Sequence, residues 1–99
     1  MLAIIGGTGL YNIEDLVVLD KVQMETPFGS TSDRITIIES QGNHSLFLPR
    51  HGKDHQLLPH EINYRANIFA LKELGAKQIL GVSAAGSLQE NIKPGDFVI

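Results

Sequence analysis

A glycine-rich turn directly after a short apolar run is the feature that most constrains the fold of this chain. The run Leu2–Ile5 is short and uncharged and ends in two β-branched isoleucines, which predicts a strand buried on both faces. Gly6, Gly7 and Gly9 then allow a sharp bend that brings backbone N–H groups close to a ligand. Thr8 adds a hydroxyl. A turn of this kind predicts a site for an anion, most often a phosphate.

The bulk properties of the chain limit what else it can be. Its 99 residues amount to one domain or part of one, and 42% hydrophobic with 19% charged residues is ordinary for a globular fold. A net charge of −3 predicts no general attraction to nucleic acid or to an anionic membrane. There is no cysteine, which excludes disulfides and thiolate metal sites, and no apolar run of bilayer length. We therefore expect a cytoplasmic protein.

The order of strand and helix signals predicts an α/β fold with a mixed β-sheet flanked by helices. One long helix is expected, beginning near Pro59 and ending at Gly75. The strand after it is expected to be buried and parallel to the first strand. A hairpin centred on Gly42–Asn43 should join two of the strands. The apolar stripe of the helix comprises Ile62, Ala66, Phe69 and Ala70, and the further strands are Val17–Glu25, Arg34–Ser40, Ser45–Pro49 and Gln78–Val82.

The end of the chain is also apolar. A new strand is predicted to begin at Asp96 and to include Phe97–Ile99. Because a domain rarely ends on an uncapped apolar strand, we expect residues 1–99 to be the N-terminal portion of a single, longer domain.

Three polar or glycine-rich loops follow three of the predicted strands, at Gly6–Gly9, Arg50–His55 and Ser83–Ser87. If these strands are parallel neighbours, the loops meet at one edge of the sheet. Arg50 is the strongest candidate ligand, because its planar guanidinium matches two phosphate oxygens at once. The small residues Ala84–Gly86 leave room for a substrate beside the backbone.

Each of these features also has a plainer, structural interpretation, and the residues alone leave the functional and the structural interpretation open. The glycine turn does not fit the dinucleotide pattern, since Asn12 replaces the third glycine, and it lacks the lysine of a P-loop. A lone arginine such as Arg50 is more often a solvated surface charge. His51 and His55 have the spacing of metal ligands on a helix, but a loop is favoured there and no third ligand follows. Ser83 lacks the second glycine of a nucleophile elbow.

Six segments, taken together, are more specific than any one motif. They are Ile4–Leu10, Thr26–Gly29, Arg50–Gly52 with His55, Asn63–Asn67, Ser83–Leu88 and Pro94–Asp96. In this order, and over the whole chain, they resemble the methylthioadenosine branch of the purine nucleoside phosphorylases.

This resemblance implies phosphorolysis of a purine nucleoside, in which inorganic phosphate attacks the anomeric carbon of the ribose and the purine leaves. The expected substrate is 5′-methylthioadenosine, and the products are adenine and 5-methylthioribose 1-phosphate. No metal or organic cofactor is implied, and phosphate is a co-substrate. The resemblance also implies a homotrimer that acts on small molecules in purine and methionine salvage, with no nucleic-acid or membrane partner.

The family's site residues carry over to positions in the three loops. By the resemblance, phosphate is bound by Thr8, Arg50, His51, Ser83 and Ala84, and the substrate lies against Ala84, Ala85 and Gly86. No catalytic residue is expected in this segment, because the proton donor to the purine belongs to the family's C-terminal half. The 99 residues alone are therefore expected to be inactive.

The identity of residue 83 bears on the substrate. Threonine is common there in methylthioadenosine enzymes and asparagine in relatives that act on inosine or guanosine, so Ser83, which keeps the hydroxyl, favours the former. The alternatives that stay open are 5′-methylthioinosine or another purine nucleoside as substrate. A non-catalytic phosphate- or nucleotide-binding module is the alternative from a different class.

Overall fold

A computed structural model of the chain describes residues 1–7, 16–52, 54 and 56–99. Within these ranges there are seven strands, one α-helix and a single turn of 3₁₀ helix over Pro59–Glu61. No helix in these ranges is both long enough and apolar enough to cross a membrane. The strands are β1 (Leu2–Gly6), β2 (Val17–Val22), β3 (Glu25–Thr26), β4 (Gly29–Ser30), β5 (Ile35–Ser40), β6 (Asn43–Pro49) and β7 (Gln78–Gly81), and the helix is α1 (Tyr64–Glu73).

Five of the strands form a mixed sheet in the order β2-β5-β6-β1-β7. β1 lies between β6 and β7 and is parallel to both, with Ile5 opposite Leu48 on one side and Gly81 on the other. β5 lies between β2 and β6 and is antiparallel to both. The carboxyl ends of β1, β6 and β7 therefore lie at one edge of the sheet, as the sequence predicted, and the predicted α/β class with a mixed sheet is confirmed.

The core lies between the sheet and α1. Its fully or almost fully buried side chains come from β1, β5, β6 and the helix, and they are Ala3, Ile35, Leu46, Leu48, Ala70 and Leu71. Burial of branched side chains of this size contributes about 1.5–3 kcal/mol each to folding. The core thus fixes the sheet and the helix as one unit. The loops at the carboxyl edge, where β1, β6 and β7 end, are attached to this unit.

The hairpin between β5 and β6 turns at Gln41 and Gly42, one residue earlier than predicted. Both residues have positive φ, at 51° and 80°. Ser40 pairs with Asn43, so Asn43 already belongs to β6 and only two residues form the loop. A two-residue turn with two left-handed positions takes its glycine second, as in Asn-Gly turns, and this shifts the centre from Gly42–Asn43 to Gln41–Gly42.

The helix begins later than the sequence predicted and ends where it predicted. Pro59 starts the 3₁₀ turn instead, and the α-helix begins after Asn63, whose side-chain oxygen accepts a hydrogen bond from the Ala66 N–H at 3.1 Å. At the other end Gly75 has a φ of 103° and its N–H donates to the Lys72 carbonyl at 3.0 Å. Asparagine is a preferred N-cap and glycine a preferred terminator, so side-chain chemistry sets both ends.

β7 is parallel to β1 as predicted, but the prediction that it is buried was wrong. All four of its residues are exposed, with Ile79 at 41% and Leu80 at 51%. β7 stands at the edge of the sheet, and none of the described residues covers its outer side. An apolar strand is buried only where a neighbour covers it, which the sequence of the strand does not specify.

Two other strand predictions needed correction. Val17–Glu25 was predicted as one strand, but β2 ends at Val22, and Glu25–Thr26 instead pairs with Gly29–Ser30 in a separate short hairpin. Asp96–Ile99 was predicted to begin a strand, but it is not paired in the structure and Phe97 is 97% exposed. Both segments show that strand propensity is realised only where backbone partners are available.

Candidate functional site

The carboxyl edge of the three parallel strands is held together by main-chain hydrogen bonds just beyond the strands. The Arg50 N–H donates to the Gly6 carbonyl at 3.1 Å, and the Val82 N–H donates to the Ile5 carbonyl at 2.9 Å. These bonds continue the two parallel ladders on either side of β1 by one step. The carboxyl ends of β1, β6 and β7 therefore lie side by side.

The side chain of Arg50 crosses this edge. Its Nη2 donates to the Val82 carbonyl at 2.7 Å and to the Ile5 carbonyl at 3.3 Å. The guanidinium is partly buried, so these bonds from a charged donor are stronger than bonds between neutral groups. One side chain at the end of β6 thus joins the ends of both other strands.

The use of Nη2 limits how Arg50 can hold an anion. A guanidinium has two bidentate edges, Nε with Nη2 and Nη1 with Nη2, and both include Nη2. Nε and Nη1 have no hydrogen-bond partner among the residues that the structure describes. The bidentate phosphate contact expected from the sequence would therefore compete with the two carbonyls, whereas single contacts from Nη1 or Nε would not.

His51 closes the loop after β6. The Leu57 N–H donates to the His51 carbonyl at 2.9 Å, and the His51 ring lies with Nδ1 at 2.9 Å from the Leu57 carbonyl. A carbonyl only accepts, so Nδ1 carries the proton. Gly52, with a φ of 82°, makes the sharp bend that this closure requires.

The segment after β7 is open. Ser83, Ala84, Ala85 and Gly86 are all exposed and have no regular secondary structure. A methyl group added at Gly86 would meet no atom within 4 Å. The hydrogen bond from Arg50 fixes the carbonyl of the peptide that precedes Ser83, so the position of this segment relative to Arg50 is defined at its first peptide.

The structure brings together Arg50, His51 and the start of Ser83–Gly86 at one edge. The predicted phosphate ligand Thr8 lies outside the described residues, and so does His55. Among the described residues no three His, Cys, Asp or Glu side chains cluster as metal ligands would. The assignment of these residues to phosphate and substrate stays a prediction. The sequence does not indicate that Arg50 binds the Ile5 and Val82 carbonyls. Every residue has a carbonyl, and only the fold shows which ones Arg50 reaches.

Comparison with known proteins gives a consistent result for sequence and structure. The family model of the phosphorylase superfamily matches residues 1–99. An S-methyl-5′-thioadenosine phosphorylase from Thermofilum pendens is 50% identical over 98% of the chain, and one from Geobacter sulfurreducens is 48% identical over all of it. The chain spans 37% and 35% of the length of these two relatives.

Two solved structures are similar to the chain along almost its whole length. A methylthioadenosine phosphorylase from Schistosoma mansoni in complex with adenine has a TM-score of 0.88 and 44% identity, over 96% of this chain and 33% of its own. A methylthioadenosine phosphorylase from an antarctic soil metagenomic library has a TM-score of 0.88 and 53% identity, over 94% of this chain and 32% of its own.

Proposed function

We propose, because the chain belongs to the phosphorylase superfamily, that it is the N-terminal portion of an enzyme that cleaves 5′-methylthioadenosine with inorganic phosphate. The observation that carries this proposal is the similarity, at about half of all positions and over nearly the whole chain, to proteins named S-methyl-5′-thioadenosine phosphorylase. The chain spans only about a third of those relatives, so the activity belongs to the longer protein.

The reaction breaks the bond between the ribose anomeric carbon and the purine nitrogen, and forms a bond from that carbon to a phosphate oxygen. Positive charge develops on the sugar in the transition state and negative charge on the base. A phosphate dianion held beneath the ribose stabilises the sugar cation and then captures it. Such a step requires placed donors more than a covalent nucleophile.

The residues at the carboxyl edge can supply that placement. Arg50 offers a positive charge next to the two strand ends, and Nη1 and Nε can donate to phosphate. The Ser83 hydroxyl, with backbone N–H groups of the segment after β7, would orient the phosphate, and Thr8 would contribute a second hydroxyl. Ala84, Ala85 and Gly86 would leave space for the sugar. His51 would contact phosphate through Nε2, since Nδ1 is used by Leu57.

The group that protonates the departing purine is proposed to lie outside these 99 residues. No metal or organic cofactor takes part in the proposed reaction. We further propose that the full-length protein is a cytoplasmic homotrimer that acts in purine and methionine salvage. Its proposed partners are small molecules only.

The test uses the full-length protein with 5′-methylthioadenosine, with and without phosphate, followed by quantification of adenine and sugar phosphate. We expect both products in equal amounts, and only when phosphate is present. Replacing the substrate with 5′-methylthioinosine should lower kcat/KM if a 6-amino purine is preferred. Binding of phosphate without base release would instead support a non-catalytic module, and equal use of both substrates would contradict the base preference.

A further inference from the structure

We propose that Arg50 is a positioning residue that sets the spacing between the end of β1 and the segment after β7, in addition to any contact it makes with phosphate. The proposal deepens the proposed function and rests on it for its catalytic consequence. Its structural part stands on two hydrogen bonds, from Nη2 to the Ile5 and Val82 carbonyls at 3.3 and 2.7 Å.

The Arg50 side chain holds two peptide groups. The Ile5 carbonyl belongs to the peptide that leads into Gly6, and the Val82 carbonyl to the peptide that leads into Ser83. None of the described peptides is cis, so each carbonyl points opposite to the N–H of the next residue. By holding the two carbonyls, Arg50 also fixes the directions of the Gly6 and Ser83 N–H groups.

Few other contacts among the described residues hold the segment after β7. Among the described residues, the ladder between β7 and β1 continues beyond Gly81 only with the bond from the Val82 N–H to the Ile5 carbonyl. β7 is an exposed edge strand, and Ser83–Gly86 are exposed as well. A segment with few buried contacts opens readily, so a charged hydrogen bond at its first peptide is a large part of what restrains it.

Arginine is better suited than lysine to hold both carbonyls. Nη2 is part of a rigid planar group that reaches across the edge from the end of β6, and it touches two carbonyls at once. A lysine at this position keeps the charge but has a single flexible ammonium without a fixed plane. Lysine would have to choose between the carbonyls and phosphate, whereas arginine keeps Nη1 and Nε for the anion.

The test measures amide hydrogen exchange in the full-length protein without phosphate, comparing wild type with Arg50→Lys. We expect exchange at the Val82 amide, whose N–H donates to the Ile5 carbonyl, to accelerate by about tenfold or more, the factor for loss of one hydrogen bond from a charged donor. Arg34→Lys is the matched control, since Arg34 is exposed just before β5, and it should leave exchange at the Val82 amide unchanged. Unchanged exchange in Arg50→Lys would overturn the proposal, because a residue that only binds phosphate has no effect in its absence.

Kinetics provide the readout that a purely structural role would not change. If Arg50 positions the segment after β7, kcat at saturating phosphate should stay reduced about tenfold or more in Arg50→Lys. If Arg50 contributed only uniform binding of phosphate to the ground state and the transition state, saturating phosphate would restore kcat, and the catalytic part of the proposal would be wrong. Failure of the proposed function is distinguishable, because wild-type protein would then release no adenine while the difference in exchange persisted.

Discussion

At the scale of single residues, the candidate site depends on where individual donors are already used. Arg50 directs Nη2 to two backbone carbonyls, and His51 directs Nδ1 to the Leu57 carbonyl. The Arg50 guanidinium therefore has one part that holds the protein and another part that can meet a substrate. The division matters because a group that serves both purposes is already in place when phosphate arrives, which lowers the entropic cost of binding.

Removal of the Arg50 side chain should strongly weaken use of phosphate. In the full-length enzyme, Arg50→Ala is expected to lose about 2–4 kcal/mol of transition-state binding, because a partly buried charge is removed from the anion site. The measurement is kcat/KM for phosphate at a fixed nucleoside concentration. Arg34→Ala, which removes an exposed arginine, serves as the control and should behave as wild type. Phosphate kinetics that did not change in Arg50→Ala would remove Arg50 from the site.

Gly52 is the position where backbone conformation limits the loop after β6. It is buried with a φ of 82°, and a Cβ there would lie 3.1 Å from the side chain of Gln56. Gly52→Ala should therefore reduce the free energy of unfolding by about 1–2 kcal/mol, as measured by urea denaturation. Gly81→Ala is the control, since no atom lies within 4 Å and its φ is not left-handed. Equal stability of the two variants would show that Gly52 tolerates a side chain.

At the scale of elements, α1 does more than cover the sheet. Two asparagines one turn apart hold the segment that contains the β3–β4 hairpin. Asn63 donates to the Phe28 carbonyl at 2.7 Å, while the almost fully buried Asn67 exchanges two hydrogen bonds with Ser32, at 2.9 and 3.0 Å. Phe28 also packs edge-on against Phe69, with ring centroids 5.9 Å apart. A buried, hydrogen-bonded amide such as that of Asn67 favours one arrangement of the elements that it joins.

Asn63 permits a clean separation of its two roles. Asn63→Asp keeps an oxygen that caps the helix but loses the donor to Phe28, so it should cost about 1 kcal/mol of stability. Asn63→Ala loses both cap and donor and should cost about 2 kcal/mol. Both values follow from denaturant unfolding at neutral pH. If the aspartate variant were as stable as wild type, the bond to Phe28 would contribute nothing to folding.

At the scale of the whole molecule, the described residues leave much apolar surface uncovered. The exposed side chains lie at both edges of the sheet, on α1 and at the end of the chain, and they include Val17, Val18, Leu19, Ile68, Ile79, Leu80, Phe97 and Val98. Soluble monomers rarely expose large continuous apolar patches. The chain also spans only about one third of the length of its relatives. The uncovered apolar surface and this short span both agree with the proposal that residues 1–99 are part of a longer protein.

The proposed division of the site predicts that residues 1–99 alone do not catalyse phosphorolysis. The reason is that the acid that protonates the purine is proposed to lie outside residues 1–99. The measurement is adenine release from 5′-methylthioadenosine by the isolated segment, with the full-length protein as the positive control. Measurable phosphate-dependent release by the segment would contradict this division.

Local patterns in the sequence were sufficient for the elements that depend on near neighbours. The apolar stripe at Ile62, Ala66 and Ala70 predicted the buried face of α1, and Gly75 predicted its end. The sequence predicted that three strand ends meet at one edge if their strands are parallel neighbours, and β6, β1 and β7 are such neighbours. These features depend on contacts within a few residues or on the general rules of α/β topology.

Tertiary structure decided the features that depend on distant partners. Asn67 is polar and was absent from the predicted stripe, yet it is buried because Ser32, 35 residues earlier, satisfies its amide. β7 has an apolar sequence, yet it is exposed because no described element covers it. The sequence by itself determined that an arginine stands at the end of β6. Only the fold decided that Arg50 faces the Ile5 and Val82 carbonyls, because a hydrogen bond depends on which atoms meet in space.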